Sequence, residues 1–373
     1  MFSSTTRTFH NLDSLRAFAV IAVLVHHLTA LLMSRQVLPP IHGFAEAGHV
    51  GVLAFFVHTS LVLMFSLDRI AAEGRERSFY IRRISRIYPL SILCVATVLV
   101  FRIPSSPEMS FVRTSTINIF ANFLLIQNII GRISVSNPLW SLPFEVQMYA
   151  VLPFLHKLTA RRHSISLLVA LILGFSLIGW TVQHQTGHAS MLAFVPCFLG
   201  GILAYELRKT IPFLPSLVWP FFLIFWITAV SLGLRYATSD IYQPVTWVAA
   251  VVLGSTIFCF RDSTHTYWNK VMEVIAKYSY GIYLTHLPIM WLAFYKMQIH
   301  STWASIVVWL FGTAALSVAT FHLIESPMIK LGRQFSDYLA PHPQPIEVEI
   351  MPAAVGAAAG AADGSFLVSD TKS

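Results

Sequence analysis

Eleven apolar blocks divide the sequence, near residues 14–34, 50–68, 87–104, 114–130, 146–158, 163–183, 189–206, 216–235, 243–260, 278–297 and 303–324. Most are about 17 to 23 residues long, enough at 1.5 Å per residue to cross a hydrocarbon layer about 30 Å thick as a helix. In lipid every backbone N–H and C=O must be satisfied internally, so only helices and closed barrels span it. A barrel would show segments of about ten alternating residues, which these blocks do not resemble. The charge content agrees, since 55% of residues are AVILMFWYC and only 11% are charged, against roughly 25% charged in a soluble domain. The fold expected is all-α and polytopic, with about ten transmembrane helices plus one re-entrant or interfacial segment.

Lysine and arginine counts in short loops set the orientation. Arg69, Arg75, Arg77, Arg82, Arg83 and Arg86 crowd residues 69–86 and make that loop cytoplasmic, which puts the N-terminus two spans earlier on the same side. The turn at 157–163 (Lys157, Arg161, Arg162), the pair Arg208 and Lys209, the 261–277 loop and the Lys330/Arg333 end read as cytoplasmic too. Three blocks separate the arginine-rich loop from Arg161, so three full crossings would put Arg161 on the wrong side. One block must turn back, and 146–158, short and interrupted by Pro153, is the expected one. Ten spans with both termini cytoplasmic then satisfy every loop.

The domains expected are a cytoplasmic segment 1–12, a transmembrane domain 13–333 and a disordered tail 334–373 biased toward Pro, Ala and Gly. The first apolar run lacks a small-residue cleavage site and is read as a retained helix. The net charge of +8 rises to +12 once the last 40 residues are set aside. It follows the positive-inside bias and is no nucleic-acid footprint, although some of these arginines could also meet an anionic cytosolic ligand. Cys94, Cys197 and Cys259 lie in apolar blocks without metal spacing and read as small core residues.

A charged group at membrane depth costs several kcal/mol, so each polar residue inside a block is a functional candidate. The stretch LRAFAVIAVLVHH holds Arg16 and His27. Eleven residues at 100° each leave a net rotation of about 20°, so the two share a face, about 16 Å apart along the axis, with His26 turned about 80° away. Asp13 could orient Arg16 as an i,i+3 pair. The bland alternatives are a snorkelling arginine and an inter-helix hydrogen bond. In SFYIRRISRIYPL, Arg83 and Arg86 sit three apart on one face, a fork suited to phosphate or to topology alone. NPLWSLPFEVQMYAVLP places Trp140, Ser141, Glu145 and Tyr149, the last two on one helical face. A buried carboxylate there must be paired or protonated, and a structural Glu–Arg pair is the plain alternative. SYGIYLTHLP contributes Tyr280, Tyr283 and His286, and FHLIESP contributes His322 and Glu325.

Together and in this order, these segments resemble the acyltransferase-3 family of integral membrane acyltransferases. Arg16 and His27 match its opening Arg/Lys, ten residues, His signature. GVLAFFVHTSLVL, the Arg83/Arg86 pair, WSLPFE, SYGIYLTHLP and IESP follow in the family's order, covering residues 10 to 333. The chain departs from the pattern at His58-Thr59-Ser60, where the family has LSG, and at Val146, where it has a second acid. It resembles the stand-alone form, without a fused SGNH domain. The resemblance implies transfer of an acyl group, commonly acetyl, from cytosolic acyl-CoA as co-substrate to a hydroxyl of a sugar, glycan or glycosylated small molecule, with no tightly bound cofactor and no metal. It places the protein in the bacterial cytoplasmic membrane, with lipid, acyl-CoA and a carbohydrate acceptor as partners and no nucleic acid.

On that resemblance, Arg16, Arg83 and Arg86 would clamp CoA phosphates, and His27 would act as general base or acyl carrier, oriented with Glu145 or Glu325. Trp140, Ser141 or Tyr280 would face the oxyanion, and Tyr149 and His286 would complete the substrate site. The residues leave direct transfer and an acyl-histidine intermediate both open, and leave the role of His58 open. The rival class is a proton-coupled transporter or flippase, which would show paired halves with broken helices in matching places.

Overall fold

The computed structural model describes residues 9–39, 46–72, 77–111, 113–159, 164–186 and 191–339. Twelve α-helices follow one another in them: α1 (His10–Ser34), α2 (Ala47–Ala72), α3 (Arg77–Val100), α4 (Thr116–Phe123), α5 (Leu142–Thr159), α6 (Ser164–Thr186), α7 (Met191–Glu206), α8 (Val218–Arg235), α9 (Ser239–Thr256), α10 (Thr266–Trp291), α11 (Thr302–Thr320) and α12 (Ser326–Tyr338). A π-helical turn, Phe321–Glu325, joins α11 to α12 into one continuous run. The only β feature among the described residues is a single bridge between Leu214 and Phe260.

Eight helices are long and apolar enough to cross a membrane, and this is a multi-pass membrane protein. The apolar windows of α2 and α7 are 78% and 72% buried, so these two helices fill the centre of the bundle. That of α6 is only 11% buried and presents Leu173 and Leu177 outward, as a lipid-facing helix should. At 26 and 18 residues, α10 and α5 are long enough to cross, at about 39 and 27 Å, but their polar residues keep them outside that group of eight.

The fourth apolar block departs from expectation. Instead of spanning, residues 114–130 form the eight-residue α4 followed by turns, whereas the block expected to turn back, 146–158, lies in the unbroken helix α5. Amide side chains explain the difference. Asn122 Nδ2 donates to the carbonyls of Asn118 (2.8 Å) and Ile133 (3.0 Å), and Asn122 Oδ1 accepts from Val135 N at 3.0 Å. Gln127 Nε2 donates to the Leu139 carbonyl (3.1 Å), and Asn128 pairs with Gln147. These bonds fold the block onto the segment that follows it, and Leu125 takes a positive φ of 54° to make the bend. Such backbone capture by asparagine competes directly with helix.

The basic loop 69–86 is mostly helix, with Arg69 in the last turn of α2 and Arg77 to Arg86 opening α3. Arg75, Arg161 and Arg162 lie outside the described residues. At the other end, α12 continues through Tyr338, the fifth residue of the expected tail, and pairs Asp337 with Arg82 of α3 at 3.2 Å. The remaining tail, 340–373, and residues 1–8 lie outside the described residues. Cys94 and Cys197 are free thiols in the core and Cys259 is partly buried.

Candidate functional site

Helix α1 carries both members of the opening motif, and three features fix its position. Its N-cap residue, Phe9, has no side chain to satisfy the first amides. Asp262, 251 residues on, does so, accepting from His10 N (3.2 Å) and Asn11 N (2.9 Å), which meets the demand of the helix's orphan donors. Alongside, α2 packs so closely on α1 that a Cβ at Gly51 would lie 2.5 Å from the Ala19 carbonyl oxygen, and one at Gly48 would lie 2.6 Å from the His26 ring. On its other side α1 meets α10, where Arg16 donates its Nε–H to Ser279 Oγ at 2.6 Å.

Arg16 faces a cavity of about 180 Å³ enclosed by α1, α2, α3, α5 and α10. Arg83 and Arg86 of α3 line it with Arg16, and Glu145 and Tyr149 of α5 stand in the same wall. One helical turn separates the last two, and the Tyr149 hydroxyl donates to Glu145 Oε1 at 2.5 Å. Thr59 Oγ1 approaches the same oxygen at 3.4 Å. Glu145 is thus held by hydroxyls, and the arginines keep their capacity for an anion. Arg83 Nε is buried with no hydrogen-bond partner.

His27 belongs to a second cavity, of about 150 Å³, with His26, Gly48, His49, Asn137, Pro138 and Trp140 among its lining residues. Val52 and Tyr283 line both cavities and so form the partition between them. The Tyr283 hydroxyl lies 2.9 Å from Ser141 Oγ, which ties α10 to the start of α5 at this wall. The His27 ring packs against His26 at 4.9 Å and against His286 at 5.1 Å, centroid to centroid. The Trp140 indole stacks on the His49 ring within 4° of parallel. Chemically, one chamber offers three guanidinium groups and the other three imidazoles, those of His26, His27 and His49, with Tyr283 in the wall between them. Among the described residues, no group of three or more His, Cys, Asp or Glu side chains is placed to hold a metal ion.

A family model for an acyltransferase domain, that of acyltransferase-3, matches residues 9–322. The chain belongs to the acyltransferase-3 family. Its relatives include the peptidoglycan O-acetyltransferase OatA of Listeria monocytogenes, 24% identical over 367 residues, covering 86% of this chain and 56% of that protein. The O-acetyltransferase OatA of Staphylococcus aureus is 26% identical over 372 residues, covering 87% and 58%. A protein of Acidianus two-tailed virus, named provisionally as an acetyltransferase, is 27% identical over 282 residues, 73% of this chain and 81% of its own length. The chain therefore spans little more than half the length of the two OatA proteins. No solved structure matches it.

The acyltransferase-3 motifs come together in the fold, though not in one chamber. Arg16, Arg83, Arg86, Ser141, Glu145, Tyr149 and Tyr280 line the arginine cavity, while His27 and Trp140 line the other. Sharing a helix face did not give Arg16 and His27 a common cavity, because Val52 and Tyr283 enter between them. Nor did an 80° turn remove His26, which lines the cavity of His27. Tyr280, expected to face an oxyanion, donates its hydroxyl to the Ile87 carbonyl at 2.8 Å. His286 and Glu325 are 0% and 2% exposed and line neither cavity. Asp13 makes no ion pair with Arg16, whose Nε is taken by Ser279.

Ser279 and His49 were missed by sequence reasoning, which marked Thr59 only as part of the departure from the family's LSG. Ser279 and Thr59 lie beside residues that the motifs single out, Tyr280 and His58, but a small hydroxyl in a long helix carries no signal of its own. The signal for His49 was available: it is an ionisable residue immediately before the second apolar block, and its ring packs on Trp140, Phe194 and Tyr242. His58, whose role the sequence left open, is buried in the wall of the arginine cavity.

Proposed function

We propose that this protein is a membrane O-acyltransferase that moves an acyl group, most simply acetyl, from cytosolic acyl-CoA to a hydroxyl of a sugar-containing acceptor. The observation that carries this reading is the pair of adjoining cavities, one lined by Arg16, Arg83 and Arg86 and the other by His27, with Tyr283 in the wall of both. Guanidinium groups suit phosphate through charge-assisted, forked hydrogen bonds. With CoA phosphates on the arginines, the pantetheine arm would run along α1 toward the partition, since Arg16 and His27 are about 16 Å apart on the helix axis.

In this reading the acceptor hydroxyl sits in the second cavity against His27. The neutral imidazole takes the hydroxyl proton as the oxygen attacks the thioester carbonyl. The tetrahedral intermediate then collapses with cleavage of the C–S bond, and the thiolate of CoA leaves with the proton from the imidazolium. Attack by His27 itself, followed by transfer from an acyl-imidazole, uses the same residues. Tyr283 and Ser141 at the partition are the hydroxyls available to the developing oxyanion.

For topology, α5 and α10 cross the membrane together with the eight more apolar helices, and α4 stays on one side. Ten crossings then place the arginine-rich start of α3, the 157–163 turn, Arg208, Lys209 and the chain ends on the cytoplasmic side, in agreement with the positive-inside rule. The bacterial cytoplasmic membrane is the setting this implies. The Listeria relative's name makes a peptidoglycan hydroxyl the first acceptor to try.

The test is release of free CoA from acetyl-CoA by the purified protein in lipid nanodiscs, with glycan fragments as acceptors. Acceptor-dependent release is expected, together with its loss in a folded His27→Ala variant. Full activity of that variant would refute the assignment of His27.

A further inference from the structure

We propose that His286 is a positioning residue that fixes the tautomer and ring orientation of His27. The inference rests on the reading of His27 as the catalytic imidazole. His286 is fully buried on α10, and its Nδ1 lies 2.8 Å from the Tyr283 carbonyl oxygen and 3.2 Å from that of Ile282. A carbonyl can only accept, so Nδ1 carries the hydrogen. In a neutral imidazole the other nitrogen is then an acceptor and nothing else. That nitrogen, Nε2, is sealed from solvent and has no hydrogen-bond partner. The Trp309 indole donates to the carbonyl of His286 itself at 2.9 Å, which holds the helix at this point.

The ring beside this unpaired acceptor is His27, with centroids 5.1 Å apart and planes inclined at 43°. A rotation of the His27 ring lets one of its N–H groups donate to His286 Nε2. The nitrogen left over on His27 is then the lone pair that faces the second cavity, where the acceptor hydroxyl would be deprotonated. When His27 takes up that proton, its second N–H remains on His286, and the imidazolium is stabilised by a neutral acceptor. This is the part that a carboxylate plays behind the imidazole of a serine-protease triad. His286 lines neither cavity and so acts only through His27. The buried orphan nitrogen is otherwise without a structural reason, because buried acceptors are normally paired.

The experiment compares wild type, His286→Leu, His286→Gln and His27→Ala in nanodiscs, reading free-CoA release against acetyl-CoA and acceptor concentration. Loss of the acceptor in His286→Leu is expected to lower kcat by about 10- to 100-fold, as loss of outer partners does elsewhere, with KM for acetyl-CoA within about twofold. His286→Gln, whose amide oxygen can accept, is expected to recover most of kcat. Spectra of protein carrying 15N-histidine supply a readout independent of turnover: His286 should appear as a fixed Nδ1–H tautomer with a hydrogen-bonded Nε2. An unchanged kcat in His286→Leu, equal losses in the Gln and Leu variants, or an Nε2–H tautomer would each overturn the proposal. If the leucine variant does not assemble, the wild-type spectrum decides alone. Activity surviving in His27→Ala would remove the underlying reading as well, whereas an inactive His27→Ala beside a fully active His286→Leu would remove only this one.

Discussion

Tyr283 holds Ser141 at 2.9 Å across the boundary between two cavities, so a hydroxyl pair on α10 and the start of α5 marks the place where the arginine cavity and the His27 cavity adjoin. If the thioester waits on one side of this wall and the acceptor on the other, the wall also keeps water from the acyl group. Tyr283→Phe keeps the ring and loses one buried hydrogen bond, at about 1 kcal/mol of stability. Tyr283→Ala opens the chambers to each other and costs about 3–5 kcal/mol. CoA release without acceptor is expected to rise several-fold in the alanine variant and to stay near wild type in the phenylalanine one. Thiol release assayed with and without acceptor checks this, and equal background in all three proteins would argue against a barrier.

The arginine cavity predicts a donor-binding phenotype. Hydrogen bonds to charged groups contribute about 1.5–3 kcal/mol, so Arg83→Ala or Arg86→Ala should raise KM for acetyl-CoA by roughly 10- to 100-fold, with a smaller change in kcat. Arg16→Lys should behave similarly despite keeping the charge. A lysine ammonium cannot hold Ser279 through an Nε–H and present a fork to phosphate at the same time. Steady-state kinetics across acetyl-CoA concentrations measures all three.

Glu145 depends on hydroxyls for its orientation. Removing the Tyr149 hydroxyl leaves Oε1 only Thr59 at 3.4 Å, near the outer limit of a hydrogen bond. Tyr149→Phe should cost about 1–3 kcal/mol of stability, and Thr59→Val distinctly less. Thermal unfolding in detergent gives the ranking, and a reversed order would show that Thr59 is the main partner.

The α1–α2 contact predicts sensitivity to a single methyl group. At Gly51 an added Cβ would meet backbone, the Ala19 carbonyl oxygen at 2.5 Å, and backbone cannot rotate away. Gly51→Ala should destabilise by about 1–3 kcal/mol through overpacking and lower turnover by shifting α1, and with it His27. At Gly48 the clash is with the His26 side chain, so Gly48→Ala should be milder. Melting temperature and kcat of the two variants provide the comparison.

The all-helical membrane fold was legible because block length and hydropathy report it directly, and the ordered motifs named part of each lining: Arg16, Arg83, Arg86, Ser141, Glu145, Tyr149 and Tyr280 in one cavity, His27 and Trp140 in the other. Glu145 and Tyr149 bond one turn apart because helical periodicity placed them on one face. What the sequence hid were contacts made across long separations. Nothing near Asn122 announces that its amide will bind Ile133 and Val135, so the 114–130 block counts as a span by hydropathy alone. In the same way, helix geometry aligned Arg16 with His27 but could not show that Val52 of α2 and Tyr283 of α10 would come between them.

The continuous run Thr302–Tyr338 has a mechanical consequence. Its 37 residues make a rod about 55 Å long, nearly twice the thickness of the hydrocarbon layer. One part lies against α10, and its far end is clasped to α3 by Arg82 and Asp337, one residue from Arg83. In the proposed reading the run would work as a lever: a displacement of α3 on binding of an anion by the arginines would be carried along it to α10, the helix that bears Tyr283 and His286.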